Sequence, residues 1–114
     1  MYANFGLFIN GRWLTGAATG EVVSPVTGAA LGEVSLATAR DTGNAIDAAA
    51  AALPKLRAMG GFARAEALHR AADEMLRRAD EGAKMISLET GKPIAQAGRE
   101  WTLSCDQFRW FAEE

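Results

Sequence analysis

The feature that most constrains this chain is a change of rhythm near Ala37. Before it, glycine, valine and threonine are broken by turn signals every few residues. After it, apolar residues recur at three- and four-residue spacing to the end of the chain. Alternation suits a pleated strand, and a period near 3.6 suits one face of a helix. Residues 1–37 are therefore expected to form short strands and turns, and residues 38–114 to be helical. Neither half has a linker, an internal repeat or a low-complexity tract.

In the first part, "LFINGRWL" places apolar residues on both sides of Asn10-Gly11. Both central residues accept positive φ, so the stretch predicts a two-residue hairpin. "GEVVSPVTGAALGEVSL" predicts two further strands, near Glu21–Ser24 and Leu31–Leu36, around the turn Pro25-Val26-Thr27-Gly28.

The second part opens with Thr38 and Asp41, spaced as a capping box with aspartate in place of the usual glutamate. Ile46, Ala49, Ala50, Leu53 and Leu56 then mark one helix face, which Pro54 is expected to kink or split. After Gly60-Gly61 a second helix is expected to run to about Thr90, with Leu68, Ala72, Met75, Leu76, Ala79, Ala83 and Ile86 on its apolar side. Gly82 interrupts it at about 1 kcal/mol relative to alanine. Asp80 and Glu81 stand at pairing distance from Lys84 along the helix. A third helix starts at Pro93 or Ile94 and carries Ile94, Ala97, Trp101, Ser104, Cys105, Phe108 and Phe111 along one side.

Between the second and third helices lies "LETGKP". Its Gly91-Lys92 pair suggests a phosphate cradle, but that motif needs a glycine where Ile86 stands and a hydroxyl where Pro93 stands. No strand pattern leads into it. Gly91 is better read as a left-handed helix cap and Pro93 as the opening of the next helix. The glycines of "TGAATGEVVSPVTGAALG" do not spell G-x-G-x-x-G, so no dinucleotide fingerprint is present.

Charge narrows the function classes. Twelve basic and fourteen acidic residues leave a net charge of −2, which gives no electrostatic case for nucleic acid or an anionic membrane. No run approaches the ~18 apolar residues of a membrane span. The opening "MYANFGLFINGRW" has no basic leader, so a cytoplasmic protein is expected. A single cysteine, Cys105, rules out an internal disulfide. Cys105 is also the obvious candidate nucleophile, yet it lies mid-helix on an apolar face with nothing placed to lower its pKa. It is read as a small buried hydrophobe. His69, the only histidine, makes no ligand set by itself and reads as a partly exposed helix residue. Glu66, Asp73 and Glu74 read as a solvated face. Composition and spacing alone yield no active site.

The last residues, "FRWFAEE", are still in helical register, and Glu113 and Glu114 stand at the negative end of the helix dipole. Trp101, Phe108, Trp110 and Phe111 crowd this helix, and a hairpin with two other helices offers them few partners. The chain is expected to be the front part of a longer polypeptide. The alternative is a free-standing small α+β module that docks on a partner through its aromatic third helix.

Taken in order, "LFINGRW", "SPVTGAALGEV", "LPKLRAM", "RAEALHRAADEMLRRADEGAKMISLETGKPIAQAGRE" and "WFAEE" resemble the N-terminal section of an NAD(P)-dependent aldehyde dehydrogenase, from about Leu7 to Glu114. Ser24-Pro25 stands where the family commonly has Asn-Pro, and a tryptophan near Leu56 is absent. "CDQFRWFAEE" is most similar to the branch acting on succinic semialdehyde and related semialdehydes. The resemblance implies an α/β fold for the intact protein, with this segment part of its cofactor-binding domain. It implies oxidation of a small aldehyde through a cysteine thiohemiacetal, with NAD or NADP bound by the remainder of a homo-oligomeric enzyme. By the same resemblance the catalytic and cofactor-binding residues lie beyond Glu114. Backbone carbonyls of Val23 and Glu89 match those that hold an alkali cation in some members, and Ser104 and Phe108 match positions bordering the substrate channel. The segment alone is then scaffold, without activity.

Overall fold

The computed structural model of the chain describes residues 5–114, as two compact units that divide between Ala58 and Met59.

The first unit opens with β1 (Leu7–Ile9) and β2 (Arg12–Leu14), paired antiparallel. Asn10 (φ 50°) and Gly11 (φ 74°) form the turn, both in the left-handed region that a two-residue hairpin needs. Phe8 and Trp13 face each other across the ladder with ring centroids 5.0 Å apart and planes tilted by 52°. Next come β3 (Ala18–Val23) and β4 (Ala30–Leu36), also antiparallel, with a bulge between Val22 and Val23. β3 begins three residues before the expected start, and Ser24 belongs to the turn rather than the strand. Its side chain explains why: the buried Oγ accepts from the amides of Val26 and Thr27, each at 3.3 Å, and its carbonyl accepts from Gly28 N at 2.8 Å. A short polar side chain folding onto the amides two and three residues ahead is the work an asparagine would do here, so the change to Ser24-Pro25 preserves the turn.

Helix α1 (Ala39–Ala58) starts at the expected box. Thr38 N donates to Asp41 Oδ2 at 2.9 Å, and Asp41 N donates back to Thr38 Oγ1 at 3.2 Å. The Thr38 hydroxyl also donates to Asp41 Oδ2, at 2.7 Å. These hydrogen bonds from Thr38 hold the Asp41 carboxyl below its ordinary value, with a smaller contribution from Arg40. A lowered folded-state pKa means that the unfolded chain binds the proton more readily. The stabilisation is therefore complete above the ordinary carboxylate pKa and is lost as pH falls through the lowered one. Thr38→Val should raise the Asp41 midpoint in an NMR titration and shift the acid fraying of α1 to higher pH. An unchanged midpoint would contradict the box. Pro54 does not split the helix, which runs on to Ala58. Proline removes the amide that would bond to Ala50, and the helix nonetheless continues for four residues beyond it.

The second unit holds α2 (Gly61–Arg77), α3 (Ala79–Thr90) and α4 (Ile94–Glu113). The expected single helix from Gly61 to Thr90 is thus two, meeting at Arg78 (φ −104°, ψ 23°), and the described residues form four helices where three were expected. α4 packs against both α2 and α3. Its buried contacts are small: Ala97 and Cys105 from α4, Ala72 from α2 and Ala83 from α3. Small residues at a crossing let helix axes approach closely. Trp101 is the large exception. Its indole lies face-on over Gly82, where a Cβ would sit 2.3–2.4 Å from three ring carbons, and its Nε1 donates to the Met75 carbonyl at 2.8 Å.

On the surface, Arg70 pairs with Glu66, Arg77 with Glu74 and Arg78 with Glu81. Glu81 therefore turns back to Arg78, and among the described residues no ion pair joins Lys84 to Asp80 or Glu81. Besides the Trp101 bond to Met75, two side-chain pairs tie α4 to α2 among the described residues: Arg109 Nη2 to Asp73 Oδ1 at 3.0 Å, and His69 Nε2 with Glu113 Oε1 at 2.9 Å. Solvent screens exposed pairs of this kind, so they add little to stability.

Candidate functional site

The residues singled out from sequence fall on three places: the end of β3, the junction of α3 with α4, and one side of α4. Val23 is the last residue of β3, just past the bulge, and pairs in register with Ala30. It lies in the first unit; the other candidates lie in the second.

The junction "LETGKP" is built as a helix stop and restart. Gly91 caps α3 at φ 71°, ψ 7°, a conformation that disfavours any residue with a Cβ, and its amide reaches the Ser87 carbonyl at 3.0 Å. The Ser87 hydroxyl donates to the Lys92 carbonyl at 2.7 Å, and Thr90 Oγ1 donates to Ile86 O at 2.6 Å. Pro93 is the N-cap of α4, and its carbonyl accepts from the amides of Gln96 and Ala97. Lys92 Nζ, the group a phosphate cradle would need, is instead paired with the Glu100 carboxylate. The junction is a cap, not a nucleotide loop. Glu89 lies in the last turn of α3, where helix carbonyls look outside the helix for partners.

On α4, Ser104 and Phe108 are four residues apart and share a face. The Ser104 hydroxyl donates to the Glu100 carbonyl at 3.0 Å, leaving its lone pairs as acceptors. Phe108 is partly exposed, and Trp110 and Phe111 are 67% and 66% exposed. Phe111 also lines, with Phe62 and Leu68 of α2, an open groove. Cys105 is fully buried between these exposed residues and unpaired. Burial pushes its thiol pKa up, and the neighbouring Asp106 carboxylate adds to the rise. A buried thiol held in its protonated form is a poor nucleophile, so the geometry supports the reading of Cys105 as a packing residue. The structure ties His69 to Glu113, not to a nucleophile. Among the described residues no cluster of three or more His, Cys, Asp or Glu side chains is placed to hold a metal ion, and no helix is long and apolar enough to cross a membrane.

The buried cysteine, the capped Gly-Lys pair and the exposed aromatics can be set beside known proteins. Residues 13–114 match the aldehyde dehydrogenase family. The chain belongs to that family. Among its relatives, an NADP-dependent succinate-semialdehyde dehydrogenase of Escherichia coli is 41% identical over 109 residues, covering 93% of this chain and 22% of the relative. A glutarate-semialdehyde dehydrogenase of Pseudomonas putida is 37% identical, covering 94% of this chain and 23% of the relative. Among solved structures, succinate-semialdehyde dehydrogenase from Burkholderia pseudomallei superposes with a TM-score of 0.92 at 36% identity, over 96% of this chain and 23% of that one. The chain thus spans about a fifth of the length of the aldehyde dehydrogenases it matches, and corresponds to their N-terminal section.

Proposed function

We propose that this chain is the N-terminal segment of the cofactor-binding domain of an NAD(P)-dependent enzyme of α/β fold that oxidises a semialdehyde to the corresponding dicarboxylic acid. In that enzyme the segment serves as scaffold. The observation that carries the proposal is the match of nearly the whole chain to about a fifth of several semialdehyde dehydrogenases. Exposure of large apolar side chains supports it: α1 buries none of its residues, and Ile46, Phe62, Leu103, Trp110 and Phe111 all face outward. Such a surface is what a segment offers when further protein packs over it.

The residues of this chain do not themselves fit a dinucleotide. They lack the glycine fingerprint, and the Lys92 ammonium is engaged by Glu100. By its likeness to the aldehyde dehydrogenases, cofactor binding, the nucleophilic cysteine and the activation of water are assigned to the remainder of a homo-oligomeric polypeptide. Within this segment, Ser104 and Phe108 border the approach of the small aldehyde, and the carbonyls of Val23 and Glu89 contribute to an alkali-cation site.

The polypeptide carrying this segment should form NAD(P)H in the presence of succinic or glutaric semialdehyde, and the 114-residue chain alone should not. Cys105→Ala should leave that activity intact while costing about 1 kcal/mol of stability for the lost buried sulfur. Abolished turnover with the fold preserved would place Cys105 in the chemistry.

A further inference from the structure

Nothing in the local sequence ends a helix at Arg78. From Met75 to Glu81 the chain reads Met-Leu-Arg-Arg-Ala-Asp-Glu, without glycine or proline, and no side chain at Arg78 accepts from the first amides of α3. What stands at the break comes from elsewhere. In an unbroken helix the Met75 carbonyl would accept from the Ala79 amide. Here it takes the Trp101 indole N–H at 2.8 Å and the Arg78 amide at 3.1 Å. The same indole covers Gly82 with its face. One side chain of α4 thus binds the last turn of α2 and the first turn of α3 together.

The charges around the break suit either geometry. In the bent form Glu74 pairs with Arg77 at 2.6 Å and Arg78 with Glu81 at 2.7 Å, each three residues apart within or against its own helix. Glu74 is also four residues from Arg78, and Arg77 four from Glu81. In a continuous helix the present i,i+3 pairs remain possible, and Glu74 with Arg78 and Arg77 with Glu81 become available at i,i+4 spacing. Straightening therefore forfeits no charge pairing.

We infer that residues 61–90 form a two-state element: one continuous helix when Trp101 is undocked, and α2, break and α3 when it seats on Met75 and Gly82. The bend at Arg78 and the docking of α4 are then a single event. The ties from Arg109 to Asp73 and from His69 to Glu113 hold α4 to α2 alone, so they do not by themselves fix the angle of α3.

The amides of Ala79, Asp80 and Glu81 test this in the full chain. As the first amides of α3 they lack intrahelical acceptors, whereas in a continuous helix they would bond to Met75, Leu76 and Arg77. In Trp101→Ala, hydrogen exchange read by NMR should slow at these three amides by about fivefold, the worth of one net backbone hydrogen bond, while exchange elsewhere in α2–α4 accelerates. A side chain that merely adds stability would accelerate all of them. Exchange at residues 79–81 that is unchanged or faster overturns the inference. Should Trp101→Ala melt the unit, Trp101→Phe decides by the same readout, because it keeps an aromatic ring at this position while removing the donor to Met75.

Discussion

Gly82→Ala is expected to destabilise the helical unit by about 2 kcal/mol, although alanine is the better helix former by about 1 kcal/mol. The added Cβ would sit 2.3 Å from the Trp101 Cδ2 and 2.4 Å from Cε2 and Cε3, well inside van der Waals contact. The indole cannot swing clear without surrendering its 2.8 Å bond to the Met75 carbonyl. Overpacking a settled contact costs about 1–3 kcal/mol, and a ring pinned at its far edge belongs at the upper end. Subtracting the propensity gain leaves the net figure. Denaturant unfolding followed by helical circular dichroism should show a lower midpoint with an unchanged slope. Gly43, also inside a helix but with nothing within 4 Å of an added Cβ, supplies the control. There the same substitution should stabilise by up to about 1 kcal/mol. Equal effects at the two glycines would mean that the Trp101 contact carries no weight.

The contrast between these glycines marks how far the sequence could be read. Features decided within a few residues were legible. Asn10-Gly11 makes its hairpin, Thr38 and Asp41 make their box, and Gly91 with Pro93 ends one helix and starts another. Each rests on a backbone angle or a side-chain reach that neighbouring residues fix. The break at Arg78 was not legible because its cause, Trp101, lies 26 residues beyond Met75. Gly82 looked like a weak point in a helix, whereas it is the floor on which that tryptophan rests. The candidate site divides in the same way. Burial of Cys105 followed from its place on the apolar face of α4, and the engagement of Lys92 by Glu100 agrees with the rejection of a phosphate loop. Val23, Glu89, Ser104 and Phe108 carry no chemical signature of their own. A backbone carbonyl or a phenyl ring becomes a site only through what faces it, so these four could be singled out by family resemblance alone.

Trp101→Ala is expected to cost about 3 kcal/mol, the low end for removing a large aromatic, because the side chain is only half-buried. The loss has two parts: the ring's contact with Gly82, and the donor to the Met75 carbonyl. Their origin in one contact makes a sharper prediction than the single substitution. With the indole gone, the Cβ of Gly82→Ala meets open space, and only the helix-propensity gain of about 1 kcal/mol remains. The substitution that destabilises the native chain by about 2 kcal/mol should therefore stabilise the Trp101→Ala chain, giving a coupling of about 3 kcal/mol between residues 82 and 101. That value lies at the top of the range for directly contacting residues. Unfolding midpoints of the four chains of this double-mutant cycle measure it. Additive effects, with Gly82→Ala equally harmful in both backgrounds, would show that the cost at Gly82 arises within α3 itself and that Trp101 does not hold the two helices at their present angle.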